Sequence, residues 1–361
     1  MAVAGELNFK RAAQRLYLSQ PALSRQIKTL ERIIGCELLL RDTHRVELTL
    51  AGHALLAHTR PVLAALDQAI AATRSVGGEL NARMMAVWAP LLAVAPTVAS
   101  VERLRDVFEG VLAEMPVPDD VAVRAVRAGG VSSLVVGDEP ALFYVHGGGF
   151  VLGSAYGYRP LVAGVVAAAG VGALVPDYRL APEHPYPAAL DDVLAAYRWL
   201  AGRRGASEIV VVADSSGCAL ALALLGALLA ADDHLPAGAV LMCPSLGEPA
   251  GLHELGYPVD AVALAARTCA ADSERDLTGL PPLLVQCATE DQACPDAEAL
   301  AERARSDGVD VRLERYRTHA HVFQLFWSFL PDAADAIASS GEFVRSLLAG
   351  SDKTSTRPSA G

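Results

Sequence analysis

The 361-residue chain lacks the features that would tie it to a membrane, a metal or an oxidising compartment. No apolar run reaches the roughly 18–20 residues that a bilayer crossing needs. No signal peptide opens it either, because the first residues, MAVAGELNFKRAAQ, become amphipathic at once. A cytoplasmic chain without membrane contact is therefore expected. Its six cysteines, Cys36, Cys218, Cys243, Cys269, Cys287 and Cys294, show no Cys-x-x-Cys spacing, and its histidines do not cluster. That pattern argues against a disulfide framework and a zinc site, and the thiols read as buried. Neither a metal nor a cofactor is expected.

Positive charge is also scarce, with 30 Lys and Arg against 41 Asp and Glu and a net charge of −11. The shortage is uneven. Residues 1–75 hold ten basic against six acidic side chains, and the remainder hold twenty against thirty-five. A basic head on an acidic body is the asymmetry expected when only the head meets nucleic acid. With 52% hydrophobic residues the chain can bury a sizeable core, and its length suits about two domains.

In the head, the apolar positions of NFKRAAQRL (residues 8–16) follow a helical spacing. A second helix is expected from Ser19, a good N-cap, with Pro21 in its first turn. Leu23, Ile27 and Leu30 should face inward, which leaves Gln20, Ser24, Arg25 and Lys28 on the open face. Two short helices whose second exposes Gln, Ser, Arg and Lys suit the reading of a DNA major groove. Gln pairs bidentately with adenine and Arg with guanine. Two strand-like pieces, residues 37–41 and 46–48, then read as a β-wing whose Arg41 and Arg45 meet phosphates. Thr49 caps a long helix over about 51–73, interrupted by Pro61. The runs AAQRLYLSQPALSRQIKTLERIIGCELLLRD and RVELTLAGHALL resemble the winged helix-turn-helix of the LysR-type transcriptional regulators over residues 1–75. The resemblance implies double-stranded DNA as a partner, contacted by Ser19, Gln20, Pro21, Ser24, Arg25, Lys28, Arg41 and Arg45, and a homodimer paired through the long helix.

The pattern changes at Val76-Gly77-Gly78. Residues 79–115 read as two or three helices broken by Pro90 and Pro96, with Val101, Leu104, Val107, Phe108 and Leu112 along one face. Apolar strand-like runs follow, and Ala141–Val145 leads into His146-Gly147-Gly148-Gly149-Phe150. Successive glycines let backbone N–H groups converge on one point, as a developing oxyanion needs. Helix-like and strand-like stretches then alternate, which argues for a mostly parallel sheet with helices on both faces. Within them, Ile209–Val212 runs through Ala213-Asp214-Ser215-Ser216-Gly217 into an Ala- and Leu-rich helix. A serine on such a strand-to-helix turn suits a nucleophile.

The segments HGGGFVLGS, PDYRLAPEHPYPAALDD, ADSSG and DGVDVRLERYRTHAHVFQLF resemble the hormone-sensitive-lipase-like esterases of the α/β-hydrolase fold over residues 80–348. The expected fold class is α/β: a small winged helix-turn-helix (1–75), a junction with cap helices (76–115), a hydrolase domain (116–348) and a disordered tail (349–361). The resemblance implies a carboxylic ester substrate, Ser215 as nucleophile and an oxyanion hole built from the N–H groups of Gly148, Gly149 and Ser216. His321 is the base, with His319 the lesser candidate. The acid is Asp291 or Glu290, and the thirty residues from Asp291 to His321, similar to the family's acid–base spacing, favour Asp291. Asp296 reads as a helix cap, His146 as a loop anchor, and Arg179 and Glu183 as a buried ion pair. Three departures stand out: Ala213 and Cys218 add side chains where close backbone approach is usual, and the stretch 244–281 is short. They motivate an alternative, a LysR-like regulator whose hydrolase body only senses a ligand.

Overall fold

Helix and strand periodicities build two separate units. The computed structural model describes residues 3, 6, 8–15, 18–41, 46–94, 101–246 and 276–354. They divide into Met1–Asn81 and Ala82–Gly361. No helix among the described residues is long and apolar enough to cross a membrane.

In the first unit, α1 (Phe9–Arg15) and α2 (Gln20–Ile34) bury Ala12, Ala13 and Leu23 in a core shared with Val3 and Leu39. Ser19 caps α2 by accepting from the Ala22 N–H at 3.4 Å, and Gly35 ends it in the left-handed region at φ 82°. Ile27 is half-buried against this core, but Leu30 is 39% exposed, contrary to the inward position expected of it. With Ile33 it forms an apolar strip on the open side of the helix. The wing is a two-stranded antiparallel ribbon, β1 (Leu39–Arg41) and β2 (Val46–Leu48), with Leu39 opposite Leu48. Thr49 Oγ1 accepts from Gly52 N–H at 2.9 Å and donates to Glu37 O at 2.7 Å, so one hydroxyl caps the next helix and holds it to the wing. A side chain at Gly52 would collide with the Leu38 carbonyl.

That next helix, α3, runs without a break from Leu50 to Val94. It passes through Pro61, Gly77-Gly78 and Pro90, where helix ends or interruptions were expected. The flanking positions are rich in Ala and Leu, the strongest helix formers, which add almost nothing to the roughly 1 kcal/mol per glycine and 3 per proline that the helix carries. After it comes α4 (Val101–Ala113).

In the second unit, eight strands form one sheet: β3 (Val123–Ala128), β4 (Val131–Val136), β5 (Pro140–Val145), β6 (Gly172–Pro176), β7 (Val210–Asp214), β8 (Gly238–Met242), β9 (Leu283–Ala288) and β10 (Val311–Tyr316). Their spatial order is β10-β9-β8-β7-β5-β6-β4-β3. β4 alone is reversed in direction, antiparallel to both β3 and β6. Strands β5 to β9 are buried along their whole length, the continuous apolar run expected of a sheet covered on both faces. The covering helices are α5 (Arg159–Ala169), α6 (Ala188–Arg204), α7 (Ser216–Ala230), α8 (Cys294–Ser306) and α9 (Pro331–Thr354). α5 packs on α9, and α6 on α7. α9 extends past residue 348 to Thr354.

Residues 82–94 and α4 lie against this body. Met84 and Leu91 are buried, and Trp88 stacks on Phe108 at 6.1 Å and meets Phe326 edge-on at 6.3 Å. Arg105 of α4 forms the polar clamp. Its Nε donates to Val151 O at 2.7 Å and its Nη2 to Ala181 O at 2.8 Å. The rest of the guanidinium grips the Glu183 carboxylate in a fork of two 2.8 Å bonds. The expected Arg179–Glu183 pair is thereby replaced, because Arg179 is taken by Asp192 with two 2.8 Å bonds. Replacing Arg105 with Ala strands two carbonyls and is expected to cost about 2–3 kcal/mol in urea unfolding. Lys at this position should recover less than half, since it cannot reproduce the fork.

Candidate active site and nucleic-acid face

The strand β7 ends at Asp214, and the chain then turns so sharply that Ser215 sits at φ 50°, ψ −125°. A non-glycine residue there stores on the order of 1–3 kcal/mol of strain. The turn is held by Ser215 N–H donating to Met242 O at 2.9 Å and by Cys218 N–H donating back to Ser215 O at 3.1 Å. It also needs two glycines. A Cβ on Gly217 would run into the Val145 carbonyl, and one on Gly147 would meet the Asp214 carboxylate and Ser215 Cβ. Ala213 and Cys218, expected to obstruct, do not. Ala213 is an ordinary buried strand residue in register with Val145 and Leu241, and Cys218 is accommodated beside Met242 O at 3.7 Å.

The Ser215 hydroxyl lies 2.7 Å from His321 Nε2. On the other side of the ring, His321 Nδ1 lies 2.6 Å from Asp291 Oδ2. With a proton on Nδ1, the imidazole donates to the carboxylate and presents a free lone pair to the serine. Asp291 follows β9 on a loop fixed by Thr289 N–H to Tyr316 O and Glu290 N–H to Thr318 O, at 2.9 and 3.0 Å. Cys294 Sγ donates to Cys287 Sγ at the base of that loop. His321 precedes a buried 3-10 turn, Phe323–Phe326, whose aromatic rings anchor it. The alternatives diverge: the Glu290 side chain is 57% exposed and 3.9 Å from Arg317, and His319 is exposed. Asp296 is not the cap of α8, whose N-cap is Ala293. Its carboxylate instead accepts from Leu246 N–H at 2.9 Å.

The glycine loop after β5 is tied down from below. Asp214 Oδ1 accepts from Tyr144 O–H at 2.8 Å and Gly147 N–H at 3.0 Å. Burial raises this carboxyl to about 6, and the bonds from Tyr144 and Gly147 only partly counter it. His146 is stacked between Tyr158 and Tyr178, and Tyr178 O–H donates to its carbonyl at 2.6 Å. Burial pushes this imidazole down to about 4, so it stays neutral and structural. Above, Gly148 and Gly149 lie at φ 107° and 64°. Of the three expected oxyanion donors, Gly149 N–H is engaged: it donates to Ser216 Oγ at 2.9 Å. Sequence reasoning missed Tyr144, Asp214, Arg105 and this hydroxyl. Asp214 and Ser216, both inside the serine motif, carried a local signal, whereas Tyr144 and Arg105 carried none.

In the first unit, Gln20, Pro21, Arg25 and Lys28 are exposed along α2, while Ser24 is half-buried and Ser19 serves as the cap. The side chain of Arg41, all of Arg45, Cys269 and most of the short stretch after Pro244 lie outside the described residues. Cys36 is exposed, unlike Cys218, Cys243, Cys287 and Cys294, which are buried as expected.

Residues 142–325 match the family described as alpha/beta hydrolase fold, and residues 1–53 match the bacterial regulatory helix-turn-helix proteins of the lysR family. The chain is 35% identical to an acetyl-hydrolase of Streptomyces hygroscopicus, across 58% of this chain and 76% of that protein. It is 33% identical to the carboxylesterase NlhH of Mycobacterium tuberculosis, across 55% and 70%. Among solved structures, a bacterial esterase of the hormone-sensitive lipase family superposes with a TM-score of 0.67 at 33% identity, covering 73% of this chain and 97% of its own. The esterase EstE5, soaked with p-nitrophenyl butyrate, superposes with a TM-score of 0.64 at 31% identity, covering 70% and 93%.

The buried Asp214 supplies a pH test. Its folded value lies above the ordinary 3.8, so the folded state holds the proton more tightly. Its contribution is therefore most favourable below about 4 and is lost as pH rises to about 6. Asp214→Asn keeps an acceptor for Tyr144 and Gly147 but removes the charge. The Tm of the variant minus that of the native chain is expected to grow between pH 4 and 7, and a constant difference would contradict the assignment.

Proposed function

The chain belongs to the alpha/beta hydrolase fold family, and from that premise we propose that its body hydrolyses carboxylic esters through Ser215, His321 and Asp291. The observation that carries this reading is the unbroken pair of bonds from Ser215 Oγ to His321 Nε2 to Asp291 Oδ2, at 2.7 and 2.6 Å. His321 takes the hydroxyl proton as Ser215 Oγ attacks the ester carbonyl. Asp291, only 9% exposed, holds the ring in the required tautomer and stabilises the imidazolium that forms. The tetrahedral oxygen is received by backbone N–H groups of the glycine loop and of Ser216 at the head of α7. Collapse expels the alcohol, which leaves with the proton from His321. Water then attacks the acyl-enzyme, again giving a proton to His321, and the carboxylic acid departs as Ser215 regains its hydrogen. All the groups used are side chains, backbone amides and water. A body that merely senses a ligand would have no need of the strained φ of Ser215 or of its contact with His321.

The head is proposed to bind double-stranded DNA, and the LysR likeness supports pairing of two copies on two half-sites. Exposed Gln20, Arg25 and Lys28 on one capped helix are the groups that would enter the major groove.

With p-nitrophenyl butyrate, Ser215→Ala is expected to lower kcat by about a thousandfold or more without changing the thermal transition. Equal nitrophenol release by the two chains would end the enzymatic reading. For the head, duplexes selected from a random pool by the full chain should bind Arg25→Ala about tenfold more weakly at low salt. Native affinity should fall steeply as salt rises. No preference for selected over unselected duplexes would remove the case for sequence reading.

A further inference from the structure

The residue after the nucleophile carries a hydroxyl of its own. Ser216 opens α7 with 1% of its surface exposed, and its Oγ accepts the Gly149 N–H at 2.9 Å. The Gly148 and Ser216 N–H groups donate to no other described residue, so the cradle is open at two donors and occupied at the third. An oxyanion donor must lie about 2.7–3.1 Å from the developing charge. The Ser216 oxygen already stands at that distance from the Gly149 amide. A tetrahedral oxygen bound to this amide would compete with it for the same hydrogen.

We propose that the Ser216 hydroxyl is a built-in plug on the oxyanion hole, which has to turn away before Gly149 can stabilise the transition state. The inference rests on the reading of Ser215 as nucleophile. The hydroxyl can turn, because χ1 of serine has three staggered wells, but leaving this one breaks a neutral hydrogen bond. A bond of that kind corresponds to about a two- to tenfold factor in rate. The loss falls on kcat rather than on substrate binding, because the oxygen of an unreacted ester carries little of the charge that the amide serves. A second arrangement is chemically possible: Oγ could keep the Gly149 bond and pass its own proton to the oxyanion. A rotating hydroxyl is less preorganised than a backbone amide, and preorganisation is where such donors gain their effect. The plug is therefore the reading the geometry favours.

The test compares the native chain with Ser216→Ala and Ser216→Gly on p-nitrophenyl butyrate, beside Ser215→Ala as background. The expected result is a rise in kcat of about fivefold in both variants, with KM and the pH profile of kcat/KM unchanged. The inhibition constant of butylboronic acid should fall by a similar factor. Its boron accepts the Ser215 oxygen, with the proton passing to His321, and the resulting tetrahedral boronate presents an anionic oxygen to the hole. A purely structural part for Ser216 would not tighten this adduct selectively. A fall in kcat would show the hydroxyl to be a donor, and unchanged rates would show it to be a bystander; either overturns the plug while leaving the nucleophile reading intact. Turnover no higher than the Ser215→Ala background in every chain would instead remove the nucleophile, and the plug with it.

Discussion

The close approach of two backbone turns is the constraint on which the site depends. The loop leaving β5 and the turn leaving β7 meet where Gly147 faces Asp214 and Ser215, and where Gly217 faces the Val145 carbonyl. No side chain fits at either contact. Because the strands are parallel neighbours, both turns emerge at the same end of the sheet, and the serine and the amide cradle arrive together. The strained φ of Ser215 is the local cost of this meeting. It is held down by backbone bonds to Met242 and Cys218 rather than by the serine side chain. Asp291 on the loop after β9 and His321 on the loop after β10 then need only reach across the sheet, which explains how residues 215, 291 and 321 meet without being neighbours in sequence.

Much of this was legible in the residues, for identifiable reasons. The glycine run and the strand-to-helix serine are local patterns, and each reports a backbone demand, whereas the pairing of Asp291 with His321 was legible only through its likeness to the family's spacing. The alternation of apolar strands with helices likewise gave the parallel sheet, since buried strands must be apolar on both faces. The misses were of another kind. Glu183 was paired with Arg179, four positions away, but its partner is Arg105, 78 positions away on α4. Nothing in the local pattern distinguishes those partners. Similarly, Gly77-Gly78 and Pro90 looked like boundaries because propensity was weighed residue by residue, whereas α3 is decided by the sum over its length.

The expected obstruction at Ala213 and Cys218 is the more instructive error. The pattern G-x-S-x-G invites the view that every glycine marks a forbidden side chain. The structure separates them. Ala213 is a strand position whose Cβ points into a well-packed sheet, and Cys218 is a helix position with room for a sulfur. Of the serine-motif positions, Gly217 faces backbone closely enough to exclude a Cβ, and Gly147 across the gap faces the Asp214 carboxylate and Ser215 Cβ. These two departures therefore fall where the fold can absorb them, and neither supplies an argument for a degenerate site.

Two carboxylates next to one reaction centre divide the work by environment. Asp291 lies on a loop beside a half-exposed imidazole and orients it. Asp214, fully buried and directly before Ser215, takes no part in that chain of bonds and instead holds the glycine loop through Tyr144 and Gly147. Its raised pKa follows from the same burial that makes it a good anchor: a carboxylate kept from water binds the few donors it has more strongly. The cradle is thus fixed from beneath by a group whose charge is itself marginal near pH 6. The position at the head of α7 is different, because Ser216 acts on the amides from within the cradle. A methyl there would leave all three N–H groups free, whereas a hydroxyl introduces an acceptor where the reaction supplies one. The chemistry of this site therefore turns less on whether the three reacting side chains meet than on which oxygen the Gly149 amide serves.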